Sequence, residues 1–279
     1  MTIPHGDAQA HRIVGHAVTA ADKRLGNRLQ AAFCIGSLAH GGFTAGVSDI
    51  DVALIVSDVS AVTAADIEAI DQDTRLLEVE DSAGQRLSFF WDSWSNLADN
   101  REGGRFPAVD RADFLDSGFL YRGEDLRSRC TRPSSTDMAR DSGRFLLTKF
   151  GTDEYIRTLR TPDSLIAQGR RATTKAVLFP VRMVYTIGAS KVDGNDPAAG
   201  WFARHYDAHA ELVSAATQWR NDEDGFRENL GDLMRTGLIA LYKLAAERIE
   251  ETLTAPCDRE LQRDIRRFRV ALDEASSDD

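Results

Sequence analysis

Two acidic residues separated by one position, Asp49 and Asp51, carry the strongest chemical signal in the sequence. They open an apolar run, Ile50 to Val56, that predicts a partly buried strand. Because side chains alternate along a strand, both carboxylates are expected on one face, with Ile50 and Val52 on the other. Two like charges this close repel each other unless a cation lies between them. Paired carboxylates suit Mg²⁺, which keeps waters and substrate phosphates as its other ligands.

A Gly-Ser pair, Gly36 and Ser37, precedes the acidic pair, with eleven residues between them. Gly36 allows the backbone to approach a phosphate, and the Ser37 hydroxyl and neighbouring N–H groups can donate hydrogen bonds to phosphate oxygens. Together with the acids, this turn indicates a site for a metal ion and a triphosphate. The alternative is that Ser48 and Asp49 only cap a turn and that Asp51 is a solvated strand residue.

The surrounding sequence predicts the elements that position these residues. Helical periodicity alternates with short apolar or aromatic runs before residue 131, which indicates strands and helices together. The predicted elements are a helix over 8–30, strands over 31–35 and 50–56, a helix over 61–81 that opens at Thr63, and strands over 86–92 and 114–121.

The best domain boundary is the stretch TRPSSTD, residues 131–137, where a proline and capping residues interrupt the pattern. Beyond it the apolar spacing is helical. We therefore predict an α+β fold, with a mixed sheet and flanking helices in a catalytic domain over 1–132 and an α-helical bundle domain over 133–279.

Composition excludes several classes of protein. The 279 residues are 42% hydrophobic and 28% charged, which is enough for a folded core, and the formal net charge is −10. No apolar stretch reaches the roughly 18 residues that span a bilayer, and no leader pattern opens the chain, so we expect a cytoplasmic protein without a membrane partner. Three scattered cysteines argue against a disulfide framework or a zinc site. The acidic balance makes a nucleic acid an unlikely partner.

The stretch FCIGSLAHGGFTAGVSDIDVALIVSD, residues 33–58, resembles the signature of the polymerase-β-type nucleotidyltransferase superfamily. Residues 175–220 contain an apolar helix with an arginine, a Tyr-Thr turn towards glycine and lysine, and then Ala-Ala-x-Trp. That order is similar to the helical domain of the streptomycin/spectinomycin adenylyltransferases. The two matches together cover about two thirds of the chain.

The resemblance implies an antibiotic-resistance type of adenylyltransferase that uses Mg²⁺ and transfers AMP from ATP to a hydroxyl of a small molecule. The implied partners are a nucleoside triphosphate and an aminoglycoside-like acceptor, and the helical domain closes over them. The residues that the resemblance assigns to metal binding and catalysis are Asp49 and Asp51, and those that it assigns to the nucleotide are Gly36, Ser37, Ser48, Arg182 and Lys191.

Enzymes of this kind use a third carboxylate from a later strand, as a metal ligand or as the base that takes the proton of the attacking hydroxyl. Asp92, at the end of RLSFFWD, is the candidate, and the alternative is that it only starts a turn with Ser93. The fallback candidates are Glu78, Glu80 and Asp81. At the approximate place of the family's catalytic glutamate this sequence has Ser88.

Two further departures concern the acceptor and the phosphates. The family's drug-contacting acid corresponds to Ala172, and a further phosphate-contacting lysine corresponds to Asn195. A second hypothesis is therefore a nucleotide-binding regulator or antitoxin-like protein whose catalytic base has been lost. His40, beside the glycine turn, either touches phosphate or substrate or is a loop histidine without a role.

Overall fold

The computed structural model describes residues 8–76 and 86–274. The chain divides into two compact units, Met1–Pro133 and Ser134–Asp279. The first unit contains a four-stranded sheet and helices, and the described residues of the second are helical. The predicted α+β class, with a mixed sheet followed by a helical part, is confirmed.

The first unit consists of short strands between helices. Its elements are α1 (Ala8–Leu25), β1 (Leu29–Ile35), α2 (Gly36–Ala39), β2 (Ile50–Val56), α3 (Ala64–Leu76), β3 (Leu87–Ser93), α4 (Trp94–Asp99), α5 (Ala108–Ser117) and β4 (Phe119–Gly123).

The sheet has the strand order β3-β2-β1-β4. β1 runs antiparallel to both β2 and β4, whereas β2 and β3 are parallel. Both central strands are apolar on both faces because helices cover them on each side. Val52 and Leu54 pack with the inner side of α1, while Phe33 and Ile55 pack with Phe114 of α5. This double coverage fixes the ends of β1 and β2, where the acids and the Gly-Ser pair lie.

The predicted strand over 114–121 is wrong in its first half. Residues 114–117 belong to α5, and the strand starts at Phe119. Phe114 is fully buried and stacks edge-to-face on Phe33 with 4.8 Å between ring centroids. Its aromatic character therefore reflects the inner face of a helix, which short apolar runs do not distinguish from a strand.

The predicted opening of α3 is confirmed by its cap. The Thr63 hydroxyl accepts a hydrogen bond from the Asp66 N–H, and the Asp66 carboxylate accepts one from the Thr63 N–H in return. The helix is described as far as Leu76, and the rest of the predicted helix, residues 77–81, lies outside the described residues.

The second unit is a bundle built around two long helices. Its elements are α6 (Ser135–Phe150), α7 (Asp153–Arg160), α8 (Pro162–Ala167), α9 (Arg170–Ala189), α10 (Asn195–His205), α11 (Ala210–Asn221), α12 (Leu230–Thr252) and α13 (Arg259–Glu274). α9 and α12 pack against each other and supply much of one continuous apolar core. Over residues 8–76 and 86–274, no helix has the length and apolar character needed to cross a bilayer.

Candidate nucleotide-binding site

Gly36 and Asp51 are in direct contact where β1 ends. Asp51 is the strand partner of Ile35, so its side chain lies beside the first residue after β1. Gly36 has φ +69°, a left-handed conformation that favours glycine and turns the chain into α2. A Cβ built on Gly36 would collide with Oδ2 of Asp51. Glycine is therefore required here both for its backbone conformation and for the close approach of the carboxylate.

The acidic pair lies at the edge of a buried strand. Ile50 and Val52 are fully buried in the core that includes α1, whereas Asp49 and Asp51 are partly exposed. Because successive side chains of β2 point to opposite faces, Asp51 lies on the face away from Ile50. Asp49 directly precedes the strand.

A third carboxylate, Asp113 of α5, also lies at this turn. It is 4% exposed, and its Oδ2 accepts a hydrogen bond from the Gly36 N–H at 2.8 Å. Its Oδ1 accepts one from the Ser117 hydroxyl at 2.6 Å and contacts Nε2 of His40. Gly36 is thus held by two acids, one bound to its amide and one packed against its Cα.

The local electrostatic field at this end of β1 is negative. Burial raises the pKa of the Cys34 thiol, and the charges of Asp51 and Asp113 raise it further. A buried thiol of this kind is inert and stays protonated. The same field favours a cation next to the acids, provided that the cation can reach them.

The structure gives His40 a definite role. This residue follows α2, and its side chain pairs with Asp113. Nδ1 of His40 is buried without a hydrogen-bond partner in residues 8–76 and 86–274. His40 therefore binds a neighbouring acid of the fold, and the hypothesis of a loop histidine without a role does not hold.

The two predicted serines differ in their surroundings. Ser37 is partly exposed on α2, directly after the glycine, and its contact with phosphate stays a prediction. Ser48 is buried, and its hydroxyl accepts a hydrogen bond from the Thr44 N–H at 3.0 Å. Ser48 closes the loop that leads into β2, which suits positioning of that loop better than binding of a ligand.

Asp92 does not join the acidic pair, contrary to the sequence expectation. It is the parallel partner of Ile55, four positions along β2 from Asp51, which corresponds to about 13 Å at the usual strand rise. It is 1% exposed, and its Oδ1 accepts hydrogen bonds from the Ser93 N–H at 2.8 Å and from the Asn96 amide at 2.7 Å. Asp92 thus binds the turn with Ser93 that precedes α4, as in the alternative interpretation, while its Oδ2 is buried without a hydrogen-bond partner among residues 8–76 and 86–274.

Ser88 is the residue that faces Asp51 across the sheet. The parallel register pairs the two directly, so a side chain at position 88 shares the face of the Asp51 carboxylate. This is the place where the resemblance put a catalytic glutamate, and a serine occupies it. The fallback acids Glu78, Glu80 and Asp81 lie outside the described residues.

The side chains at this site fit Mg²⁺ better than a metal ion that needs three or more protein ligands. Among residues 8–76 and 86–274, no group of three or more His, Cys, Asp or Glu side chains could hold a metal ion. Asp49 and Asp51 are partly exposed carboxylates, so they are of the ligand type that Mg²⁺ prefers, and their assignment to a metal stays a prediction. Mg²⁺ is typically bound by one or two carboxylates together with waters and substrate phosphates.

The helical unit contains an arginine-rich cluster around Arg182. Arg182 lies on α9 and is partly exposed. Burial of Arg220 on α11 lowers its pKa, and the positive charges of Arg182 and Arg170 lower that pKa further. The negative charge of Asp196 raises the pKa of Arg220 but does not reverse the shift. Arg220 is therefore close enough to Arg182 and to Arg170 to be repelled by each, and an anion beside Arg220 and Arg182 would relieve part of that repulsion.

Lys191, the other predicted phosphate contact of the helical unit, forms an ion pair. Its Nζ lies 2.8 Å from Oδ2 of Asp193, and the lysine side chain is 56% exposed. An exposed pair of this kind contributes little to stability, so the lysine can exchange Asp193 for another anion at small cost. Its assignment to the nucleotide stays a prediction.

Asp113 is the residue that sequence reasoning missed. It belongs to no motif, and it directly precedes residues 114–121, which the sequence predicted to be a strand. Had the segment been recognised as a helix, an aspartate between the inward-facing Ala112 and Phe114 would have indicated a buried acid that needs partners.

Comparison with known proteins supports the fold. No family model matches this chain, and no curated protein does so. Among solved structures, the chain is similar to the spectinomycin adenyltransferase AAD(9) from Enterococcus faecialis, whose crystal structure contains ATP and spectinomycin. The two have a TM-score of 0.59 and 16% sequence identity, over 86% of this chain and 99% of that one. The two chains share a fold. The matched length is large enough to include residues of both units of this chain.

Proposed function

We propose that this protein is a Mg²⁺-dependent nucleotidyltransferase that transfers AMP from ATP to a hydroxyl group of a small molecule. The observation that carries the proposal is the contact between the Asp51 carboxylate and Gly36, at the end of a strand, in the fold of an ATP-bound adenyltransferase. Under this proposal, a cation bound at Asp51 lies beside the turn that receives the phosphates.

Each residue of the turn has a defined task in this reaction. Asp49 and Asp51 hold the cation, Gly36 lets the Asp51 carboxylate approach the backbone closely, and the Ser37 hydroxyl donates a hydrogen bond to a phosphate oxygen. Magnesium, when bound, neutralises phosphate charge and lowers the pKa of the acceptor hydroxyl. Catalysis then depends mainly on positioning the α-phosphate for in-line attack and on stabilising the pyrophosphate that leaves.

The proposed acceptor is an aminoglycoside-like polyol. The protein AAD(9) was crystallised with spectinomycin, and the helical-domain resemblance supports the same class of acceptor here. Ala172, on the first turn of α9, and Asn195, at the start of α10, replace an acid and a lysine of that family, so the preferred drug is expected to differ.

Pyrophosphate release tests the proposed activity. The full chain is incubated with ATP, MgCl₂ and a panel that includes spectinomycin and streptomycin, with and without EDTA. We expect release with at least one acceptor and loss of release on chelation. Absence of release with every acceptor, together with no measurable ATP binding, would remove the proposal.

The second candidate function is nucleotide binding without transfer, and the pairing of Ser88 with Asp51 is the observation that favours it. Among the described residues of β3, none then places an acid directly opposite Asp51 to serve as the base. Calorimetry that detects tight ATP binding, combined with no pyrophosphate release, would support this candidate over the first.

Substitution Ser88→Glu is expected to raise kcat for transfer by at least about 10-fold, because a positioned general base contributes about 10²-fold or more. The variant Ser88→Gln is the matched control, since it has a similar size and no charge. Pyrophosphate release under single-turnover conditions measures the effect. Equal rates for the glutamate and glutamine variants would show that position 88 does not reach the reacting hydroxyl.

Substitution Arg182→Ala is expected to raise the KM for ATP about 10-fold and to leave the KM for the acceptor unchanged, because a guanidinium binds phosphate oxygens through charge-assisted hydrogen bonds. Arg182→Lys should recover only part of the loss, since lysine lacks the planar fork. Arg235→Ala, which removes an exposed ion pair with Asp163, serves as the control. A KM for ATP that is the same in all three variants would contradict the role of Arg182.

A further inference from the structure

The buried carboxylate of Asp113 on α5 contacts the Gly36–Ser37 turn, to which the proposed function assigns phosphate binding. It receives hydrogen bonds from the backbone of Gly36 and from the hydroxyl of Ser117, and it pairs with His40. Gly36 and His40 lie at the two ends of α2, so a single side chain fastens both ends of this short helix to α5.

The surroundings of Asp113 favour its ionised form, because they lower its pKa. Burial alone would raise its pKa, but hydrogen bonding and the positive charge of His40, with hydrogen bonds from Ser117 and Gly36, lower it overall. Asp113 is therefore a carboxylate, and the His40 side chain is paired with it. A buried negative charge behind the turn opposes a phosphate in front of it wherever no positive charge balances it.

The hydrogen bond also decides which way the Gly36 amide points. A left-handed glycine can turn its peptide in more than one direction, because no Cβ restricts it. Binding of the Gly36 N–H by Asp113 directs this donor into the protein and keeps the Cα side of the glycine towards Asp51. The orientation of the Gly36 peptide is thus fixed by a side chain of α5 in addition to the turn itself.

We propose that Asp113, supported by His40, is a positioning residue that fixes the Gly36–Ser37 turn for the triphosphate. This inference rests on the proposed function. It assigns to α5 a role in nucleotide affinity, although neither Asp113 nor His40 has to touch the nucleotide.

Substitution Asp113→Asn tests the proposal against Asp116→Asn. The first change keeps the shape of the side chain but presents an amide group to one of the donors, whereas Asp116, on the same helix, only pairs with Arg132 at the surface. We expect Asp113→Asn to weaken binding of Mg²⁺-ATP about 10-fold by calorimetry and to leave the KM for the acceptor unchanged. Asp116→Asn should bind ATP as the unmodified protein does.

The backbone provides a second readout that does not depend on activity. In ¹⁵N-glycine-labelled protein, which gives up to 21 glycine signals, the Gly36 amide can be assigned with a Gly36→Ala variant. The Gly36 amide should be protected from hydrogen exchange in the unmodified protein and in Asp116→Asn, and exposed in Asp113→Asn. His40→Gln, which keeps a donor, should retain protection, and His40→Leu should lose it.

The outcomes separate this inference from the proposed function. If the unmodified protein does not bind Mg²⁺-ATP, the proposed function fails and the inference fails with it. If the unmodified protein binds ATP but Asp113→Asn binds it equally well, or if the Gly36 amide stays protected in that variant, only the positioning role of Asp113 is overturned.

Discussion

Substitution Asp51→Asn should lower kcat for AMP transfer about 10³-fold while the protein stays folded. Loss of one group that stabilises the transition state typically costs about 10²- to 10³-fold, and in the proposed function Asp51 additionally holds the cation that stabilises the leaving pyrophosphate. Asparagine has nearly the same shape, so its contact with Gly36 and the pairing with Ile35 should persist.

The control for this substitution is Asp71→Asn on the outer side of α3, where the carboxylate only pairs with Arg75 at the surface. Single-turnover pyrophosphate release and circular dichroism are measured for both variants. An Asp51→Asn variant with the activity of Asp71→Asn would show that the acidic pair does not take part in the reaction.

Substitution Gly36→Ala should also abolish most activity, with an expected loss of about 10²-fold in kcat/KM for ATP. An alanine at φ +69° costs about 1–2 kcal/mol of backbone strain, and its Cβ would displace the Asp51 carboxylate. A displacement of about 1 Å at a catalytic group is enough for an effect of this size.

Gly26→Ala separates strain from displacement. Gly26 also has a left-handed backbone, with φ +56°, but a Cβ built on it meets no atom within 4 Å. Both alanine variants should therefore lose unfolding free energy in urea through backbone strain, and only Gly36→Ala should lose activity. Loss of activity in both variants, in proportion to their stability, would indicate that the fold and not the turn is affected.

The contact between Gly36 and Asp51 was accessible from sequence because its two partners lie in one local motif. A glycine after one apolar run and an acid at the start of the next are expected to meet when the two strands pair in antiparallel fashion. The strand register in the structure places them side by side, with Asp51 as the partner of Ile35.

The residue opposite Asp51 on β3, where a third acid was expected, could not be predicted from sequence in the same way. Which residue of β3 faces Asp51 depends on a parallel register that is set by the intervening chain, and neither strand pattern specifies it. Sequence spacing pointed to Asp92, but the register places Ser88 opposite Asp51 and Asp92 four positions further along. Since side chains alternate along a strand, Ser88 and Asp92 both share a face with Asp51. The two candidates therefore differ only in their distance from Asp51.

Asp113 illustrates the part of a site that tertiary structure alone reveals. It lies 77 residues from Gly36 in the chain, and the two meet because α5 packs against the end of β1. Residues that support a functional turn from another element have no fixed spacing from it, so no sequence motif records them.

The most direct test of the account is calorimetric titration with a non-hydrolysable ATP analogue, with and without Mg²⁺. The protein and its Asp49→Asn, Asp51→Asn double variant are compared under the same conditions. The account predicts that binding to the unmodified protein requires Mg²⁺ and that the double variant binds about 100-fold more weakly. Equal affinity for both proteins, or binding that is indifferent to Mg²⁺, would contradict a cation site at the acidic pair.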